Sequence, residues 1–274
     1  MAEFKGYLRS DGRKGIRNVV AVAYLVECSK FVANRIVAPF EIDPATEGRV
    51  HEIGFPGCYP NAHAEKILSQ LATHPNVGAV LLVSLGCESM NRERIEKLVL
   101  ESGRPAASIG IQEVGGTEKA IALGREWVAD VLKEIDNVPM VPMSVSDLSV
   151  ATICGGSDGT SGVTANPAVG VAFDKLVDAG ATCVFEETGE LIGCETDMAS
   201  RAINDDVAKA LVSSVEKRQD SIKCLDTRVS LRVMRTAGCR LSRKNHSVLI
   251  TKVVPAKFRG LLLRVTCHLI PAFG

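Results

Sequence analysis

The sequence contains few aromatic residues and no long apolar run. Aromatic side chains make up 4% of the chain although 46% of its residues are hydrophobic, so the core has to be aliphatic, as is typical of parallel α/β sheets. No apolar run reaches the length of about 20 residues that a transmembrane helix needs. The N-terminal stretch also lacks the apolar segment of a secretory signal. We therefore expect a cytoplasmic protein that does not bind a membrane.

The nine cysteines include no CxxC pair. Structural zinc ribbons use such pairs, so their absence argues against a site of that kind. Disulfides are not expected either, because thiols stay reduced in a protein that is not exported. Each cysteine is therefore interpreted individually, as a small buried side chain or as a ligand in a site.

Acidic residues are almost absent from the C-terminal end. Residues 221–274 contain 11 of the 32 Lys and Arg residues but one of the 32 Asp and Glu residues, Asp226. The formal net charge of zero is therefore the sum of an acidic first part and a basic tail. We expect no nucleic-acid partner for a chain with this overall balance.

Hydrophobic periodicity divides the chain into two α/β units. Residues 1–142 predict strands over 18–26, 77–86 and 106–112 and a helix over 61–74 that Asn61 caps. Residues 143–218 predict a strand over 148–156, a helix with Pro167 at its first position and one helix over 196–219. The predicted fold is α/β, as two successive parallel-sheet units with a polar crevice at the carboxyl ends of their strands. The tail over residues 219–274 is expected to be irregular.

Four basic residues surround one acidic residue near the N-terminus. The stretch GYLRSDGRKGIRN, residues 6–18, places Arg9, Arg13, Lys14 and Arg17 around Asp11. Arginine binds carboxylate and phosphate groups through paired hydrogen bonds, so this stretch is interpreted as a loop that holds an anion. The alternative interpretation is a solvated basic segment.

A glycine-rich stretch, CGGSDGTSG, covers residues 154–162. It lies between a predicted strand and a predicted helix, where backbone N–H groups face an anion. It matches neither the P-loop nor the dinucleotide-binding fingerprint. We interpret it as an anion-binding loop in which Asp158 is a candidate metal ligand.

Carboxylates gather after the next predicted strand, in FEETGELIGCE, residues 185–195. Glu186 and Glu187 lie at the strand end, where carboxylates are candidate ligands for a hard metal ion or candidate general bases. A helix N-terminus, which favours acidic residues, is the alternative explanation for one such residue. Cys58 and Cys87 also follow predicted strands and are candidate ligands or small buried side chains.

Four stretches together resemble the altronate/galactarate dehydratase family of sugar-acid hydro-lyases. They are GYLRSDGRKGIRN, HPNVGAVLLVSLGCE, GGSDGTSGVTANPAVG and FEETGELIGCE, in the family's order over residues 5–218. The resemblance implies an iron- or manganese-dependent lyase that removes water from a sugar acid to give a 2-keto-3-deoxy acid. A related branch implies the alternative of a sulfolactate sulfo-lyase large subunit that releases sulfite and pyruvate. The resemblance also implies a small anionic carboxylate substrate, a separate small subunit and a homo-oligomer.

The resemblance implies roles for individual residues. A base removes the proton next to the substrate carboxylate, while a divalent metal and the N–H groups of the glycine-rich loop stabilise the negative charge. The residues expected in catalysis are Glu190 as the base, Arg13, Arg17, Gly156 and Ser157. Those expected to bind the substrate are Asp11, Asn18, Asn61, Ser161 and Asn166. Those expected to hold Fe(II) or Mn(II) are Asp158, Glu186, Glu187 and Cys87.

Two further interpretations stay open. The first is a non-enzymatic protein that binds a sugar acid without turnover. The second keeps the enzyme but replaces the divalent metal by an iron–sulfur cluster, because thiolates suit such clusters. Its ligands would be Cys58, Cys87 and either Cys154 or Cys194.

The resemblance ends near residue 219, close to where the charge changes. The family continues with a segment like GGLSTIEEKSLG, whereas this chain contains GCRLSRKNHSVLITKVVPAKFRG. A shifted codon frame over residues 238–248 permits the family segment. The tail over residues 219–274 is therefore interpreted as frameshifted, in which case the second unit is incomplete and the chain is expected to be inactive. A genuine basic tail that binds nucleic acid or a partner is the alternative.

Overall fold

Strands and helices alternate through the first unit of the protein. The computed structural model describes residues 4–153, 160, 162–185 and 191–224, the last five of these by their backbone alone. Contacts divide the chain into two units, Met1–Met143 and Ser144–Gly274. The elements of the first unit are β1 (Phe4–Leu8), β2 (Lys14–Gly15), β3 (Val19–Tyr24), α1 (Glu27–Ile42), β4 (Val50–Gly54), α2 (Ala62–Ala72), β5 (Val77–Ser84), α3 (Arg92–Glu101), β6 (Ala106–Gly110), α4 (Thr117–Ile135) and β7 (Met140–Met143).

A four-stranded parallel sheet forms the centre of the first unit, in the order β4–β3–β5–β6. Val20 of β3 lies opposite Val50 of β4, and Ala21 lies opposite Val80 of β5. All eight residues of β5, VGAVLLVS, are buried, because helices cover both faces of the sheet. The α/β fold class predicted from the continuous apolar runs is confirmed.

The two faces of this sheet have separate cores. Alternate residues such as Val20 and Val22 point to one face, where α1 and α4 pack. The residues between them, such as Ala21, point to the other face, where α2 and α3 pack. Each of these helices packs against the sheet on one side only. Among the described residues no helix is long and apolar enough to cross a membrane.

A small antiparallel sheet, in the order β2–β1–β7, was not predicted from the sequence. Its strands β1 and β2 lie within or next to the arginine-rich stretch, and β7 lies at the predicted boundary between the two units. Phe4 lies opposite Met143 and Tyr7 opposite Met140, so the pairing joins residues far apart in the chain. The two segments lack the apolar runs that identify buried strands, which is why periodicity missed them.

The second unit has a two-stranded parallel sheet. Its described elements are a 3₁₀ turn (Val145–Asp147), β8 (Ser149–Thr152), α5 (Ala165–Asp178), β9 (Thr182–Phe185), α6 (Glu195–Ser200) and α7 (Asp205–Cys224). Helix α5 begins two residues before Pro167, so the first-position prediction for this proline was wrong. The helix predicted over residues 196–219 is also wrong as one element. It breaks before Asn204, whose side chain accepts the N–H of Val207 at 2.9 Å and starts α7.

Candidate functional site

The predicted site residues of the first unit lie at opposite ends of its parallel sheet. Residues 9–18 precede β3 and lie at the end where the parallel strands begin, called here the amino edge. Asn61 and Cys87 follow β4 and β5 and lie at the opposite end, the carboxyl edge. Strand β5 has eight residues, so at about 3.3 Å per residue the two edges are roughly 25 Å apart. The first unit by itself therefore does not bring Arg13 and Arg17 together with Asn61 and Cys87.

Arg13 is paired with Asp11 at the amino edge. The Nε and Nη2 atoms of Arg13 lie 2.9 and 2.7 Å from Oδ2 of Asp11, and Nη2 also donates to the carbonyl oxygen of Thr73 at 2.8 Å. The hydrogen bond from the Arg13 side chain outweighs partial burial and holds the pKa of Asp11 below its usual range. A substrate carboxylate would therefore have to compete with Asp11 for the guanidinium of Arg13.

Two buried arginines, Arg9 and Arg104, lie beside this pair. They are 5% and 3% exposed. Arg9 donates from Nε to the carbonyl oxygen of Pro75 at 2.7 Å, and Arg104 donates from Nε to that of Val77 at 3.0 Å. Burial, followed by the nearby charge of Arg104, lowers the pKa of Arg9 to about 10. These arginines attach residues 9–18 to the turns that precede β5 and β6.

Arg17 and Asn18 have very different surroundings. The backbone N–H of Arg17 donates to Oδ1 of Asn76 at 3.3 Å, while its exposed guanidinium makes no ion pair or hydrogen bond within the described residues. Asn18 is buried, and its amide nitrogen donates to the carbonyl oxygen of Ile135 at 2.6 Å. Asn18 thus holds the start of β3 to the end of α4, whereas Arg17 offers its guanidinium at the surface.

The loops after β4 and β5 contact each other at the carboxyl edge. The carbonyl oxygen of Cys58 accepts the N–H and the hydroxyl of Ser89, both at 2.9 Å. Asn61 caps α2 by accepting the N–H of Ala64 at 2.9 Å, so its predicted capping role is confirmed. The thiols of Cys58 and Cys87 are exposed. Because the connections after β3 and β5 lead to opposite faces of the sheet, these loops adjoin the crevice where ligands of such sheets bind.

Glu88 lies among hydrogen-bond donors at the end of the central strand. Its carboxylate accepts the N–H of Gly86 at 2.8 Å, and the nearby hydroxyl of Ser84 and N–H groups of Cys87 and Glu88 favour its charged form. Burial raises the pKa of Glu88, but these donors outweigh burial and hold the pKa below its usual range. The φ angle of 122° at Gly86 favours glycine. The sequence analysis chose Cys87 in this motif and not Glu88, although a carboxylate two residues after a strand-ending glycine was a usable signal.

A cleft of about 290 Å³ lies beside the end of β4. The residues that line it are Gly54, Phe55, Asn61, His63, Ala64, Ile67, Leu68 and Leu71. Most of these side chains are apolar, and none of the described residues that line the cleft is an arginine or a lysine. The cleft therefore lacks a permanent cation for a substrate carboxylate.

Two predicted site segments of the second unit follow the neighbouring strands β8 and β9. Thr152 and Phe185, the last residues of β8 and β9, are register partners in a parallel pair. Adjacent strands lie about 4.8 Å apart, so the segments after these residues leave the same edge at neighbouring points. Asn166 is half-buried in the first turn of α5. The remaining candidates lie outside the described residues, namely Cys154, Gly156, Ser157, Asp158, Ser161, Glu186, Glu187 and Glu190.

Metal ligands are not assembled in the part of the chain that the structure describes. No group of three or more His, Cys, Asp or Glu side chains is placed there to hold an ion. Cys194, one candidate ligand of an iron–sulfur cluster, is buried, and burial, followed by the charges of Glu195 and Asp197, raises the pKa of its thiol. The raised pKa disfavours the thiolate that a cluster needs. Both cofactor predictions therefore depend on segments outside the described residues.

Family models match both units of the chain. The model of the second domain of D-galactarate dehydratase/altronate hydrolase matches residues 6–136. The model of the C-terminal domain of D-galactarate/altronate dehydratase matches residues 145–238. The chain belongs to the galactarate/altronate dehydratase family. The resemblance drawn from the four motifs is thereby confirmed. The prediction that it ends near residue 219 was wrong, because the match of the C-terminal domain continues into the basic tail as far as residue 238.

Curated relatives of this dehydratase family differ in what they act on. The chain is 36% identical over 208 residues to (2R)-sulfolactate sulfo-lyase subunit beta of Chromohalobacter salexigens, which covers 74% of this chain and 51% of that protein. It is 30% identical over 228 residues to altronate dehydratase of Bacillus subtilis, covering 77% and 44%. It is 30% identical over 239 residues to galactarate dehydratase (L-threo-forming) of Escherichia coli, covering 78% and 44%. The chain thus spans about half the length of the curated relatives it matches.

Proposed function

We propose that this chain supplies the catalytic part of a metal-dependent lyase that removes water from a sugar acid to give a 2-keto-3-deoxy acid. Membership of the galactarate/altronate dehydratase family supports the reaction class. The observation that carries the proposal is the register of β8 and β9, in which Thr152 lies opposite Phe185. Because of this register, the glycine-rich segment and the segment with Glu186 and Glu187 begin at neighbouring points of one sheet edge.

The residue types in these two segments fit a divalent metal ion. Asp158, Glu186 and Glu187 carry carboxylate oxygens, the donors that hard cations such as Mn²⁺ select. A bound Fe(II) or Mn(II) ion would supply Lewis-acid stabilisation of the negative charge that develops when a proton next to a carboxylate is removed. These three residues are therefore the proposed ligands, and Cys87 is the least favoured candidate because its thiol is a softer donor than the oxygens that such cations select.

The chain's own residues would perform the proton transfer and hold the substrate. Glu190 is proposed to take the proton from the carbon next to the substrate carboxylate, and the electron pair left there forms the double bond of an enol. The neighbouring hydroxyl receives a proton back from Glu190 and leaves as water, and the enol then tautomerises to the 2-keto acid. The N–H groups of Gly156 and Ser157 would donate to the oxygen that becomes negative. Arg17, whose guanidinium is exposed, is a better candidate to bind the carboxylate than Arg13, which Asp11 already holds.

A sulfo-lyase is the second candidate function. The 36% identity to a protein named (2R)-sulfolactate sulfo-lyase subunit beta favours it. The same proton removal would then expel sulfite in place of water and leave pyruvate. The word subunit in that name also supports a separate small partner chain for this protein.

The test uses the chain whose codon frame after residue 219 has been repaired, supplies it anaerobically with Fe(II) or Mn(II), and measures both bound metal and products. We expect one bound ion per catalytic site and a 2-keto-3-deoxy acid from altronate or galactarate. Release of sulfite from sulfolactate would select the second candidate. The variants Asp158→Asn and Glu186→Gln should lose bound metal, whereas Glu101→Gln, an exposed carboxylate on α3, should keep it.

The outcomes separate the lyase from a binding protein. Binding of a sugar acid that needs no metal and gives no product would contradict the lyase proposal and support the non-enzymatic alternative. Metal that is retained by both variants would remove Asp158 and Glu186 from the ligand set. A visible absorption band in the anaerobic protein would instead support the iron–sulfur cluster.

A further inference from the structure

The amino edge of the parallel sheet carries more positive than negative charge. Within the described residues, Arg9, Arg13 and Arg104 interact with one another and with a single carboxylate, that of Asp11. His74 also lies there, and burial, then Arg13 and Arg104, lowers its pKa, so it is neutral near pH 7. Three guanidinium groups therefore face one carboxylate, which leaves two positive charges without an acidic side chain.

Helix ends compensate part of this excess. Arg13 donates to the carbonyl of Thr73 at the C-cap of α2, and Arg104 donates from Nη1 to the carbonyl of Ser102 at the C-cap of α3. Each helix C-terminus carries roughly half a negative charge. The two ends together offset about one positive charge, and about one remains.

Arg104 also has a hydrogen-bond donor that nothing satisfies. Its side chain is 2% exposed, and its Nη2 atom is buried without a hydrogen-bond partner in the described residues. Oδ2 of Asp11 lies 3.9 Å from this atom, beyond hydrogen-bonding distance, and is already taken by Arg13. A buried charged donor of this kind is costly unless an acceptor reaches it.

We infer that the arginine cluster of Arg9, Arg13 and Arg104 is a binding site for a small oxyanion. The exposed pair of Arg13 and Asp11 forms its mouth, and an oxyanion reaches the buried Nη2 of Arg104 by displacing the carboxylate of Asp11. An oxyanion would accept from Nη2 of Arg104 and neutralise the remaining charge. Free phosphate and the carboxylate of a sugar acid share this chemistry. The inference does not depend on the lyase proposal, because the site lies in the first unit and needs no metal or turnover.

The test titrates the full chain with phosphate by calorimetry, at constant ionic strength maintained with chloride. We expect saturable binding that Arg104→Lys weakens by about tenfold or more, since the change removes a charge-assisted hydrogen bond. Arg125→Lys is the matched control, because Arg125 donates Nε and Nη2 to the carbonyl of Arg35, well outside the cluster. Its phosphate affinity should equal that of the wild type.

A second variant keeps the inference testable if Arg104→Lys does not fold. Asp11→Asn removes the competing carboxylate from the exposed mouth, so phosphate should bind about fivefold more tightly or better. Competition by galactarate would identify a sugar-acid carboxylate as the occupant, and binding of phosphate that galactarate leaves unchanged would identify a free oxyanion. Absence of saturable phosphate binding at millimolar concentration, or weaker binding by Asp11→Asn, would overturn the inference.

Discussion

At the scale of single residues, the same side-chain type has different roles in this protein. Arg9 and Arg104 are buried against backbone carbonyl groups, Arg13 is held by a carboxylate, and Arg17 is exposed. The sequence places three of the four within one short motif, so type and spacing alone do not separate them. Their partners decide which guanidinium is able to accept a ligand.

Glu88 should give the first unit a pH-dependent stability. Because its pKa is held below the usual range in the folded state, its carboxylate contributes stability above the unfolded pKa of about 4.3 and loses that contribution as the pH falls through the lower, folded value. Glu88→Gln should cost about 0.5–1.5 kcal/mol near pH 7, because an amide oxygen accepts the N–H of Gly86 less strongly than a carboxylate does. The difference from the wild type should shrink in acid.

Urea unfolding of the wild type and Glu88→Gln over a pH series measures this effect. Glu134→Gln, an exposed position on α4, is the control and should follow the wild type at each pH. A stability difference for Glu88→Gln that stays constant down to acid pH would show that the charge of Glu88 is not what the donors stabilise.

Asn61 was predicted to cap a helix and to bind substrate, and its variants separate the two roles. Asn61→Ala should destabilise the protein by about 1 kcal/mol, the usual cost of a lost N-cap. Asn91 caps α3 in the same way, through the N–H of Arg94 at 2.8 Å, so Asn91→Ala should cost the same. If Asn61 also contacts substrate, only Asn61→Ala weakens galactarate binding in calorimetry. Equal effects of the two variants on binding would make the substrate prediction wrong.

At the scale of elements, the central strand β5 contributes most to the parallel sheet. It pairs with β3 and β6, and its two rows of side chains belong to the two separate cores. Its apolar run is also the clearest strand signal in the sequence. A strand buried on both faces has to be apolar throughout, so burial and predictability have the same cause.

Truncation of a side chain in β5 should therefore be severe. Leu81 is fully buried, and Leu81→Ala should lower the free energy of unfolding by about 2–5 kcal/mol through lost transfer energy and a cavity. Leu100 on α3 is 51% exposed, and Leu100→Ala should change it by about 0.5 kcal/mol or less. Urea denaturation of both variants measures the contrast. Similar losses would mean that Leu100 is covered by a surface outside the described residues.

At the scale of the whole molecule, the match to the family is incomplete at the C-terminal side. The C-terminal family model matches residues 145–238, although the chain continues to residue 274. The basic composition begins at residue 221, before the match ends, and continues through the unmatched residues 239–274. We propose that the tail is a frameshifted form of the family's C-terminal region.

Reading the coding DNA across codons 215–274 in all three frames tests this proposal. We expect an adjacent frame to encode a segment like STIEEKSLG followed by KSGT. The repaired chain should then bind metal and turn over substrate where the printed chain does not, because the repair restores apolar contacts worth about 25 cal/mol per Å². If no frame encodes the segment, the basic tail is genuine and its partner becomes the question.

The sequence by itself determined the fold class, the strands β3, β5 and β6, helix α2 with its Asn61 cap, and the family. Each depends on local periodicity, on one short-range hydrogen bond or on contiguous motifs. Only the tertiary structure decided that β1 pairs with β7, that Arg104 joins Arg9 and Arg13, and that Thr152 lies opposite Phe185. It also gave Glu88, not Cys87, the donors at the end of β5. These features join residues distant in the chain or depend on the conformation of one turn, so the periodicity of side chains does not predict them.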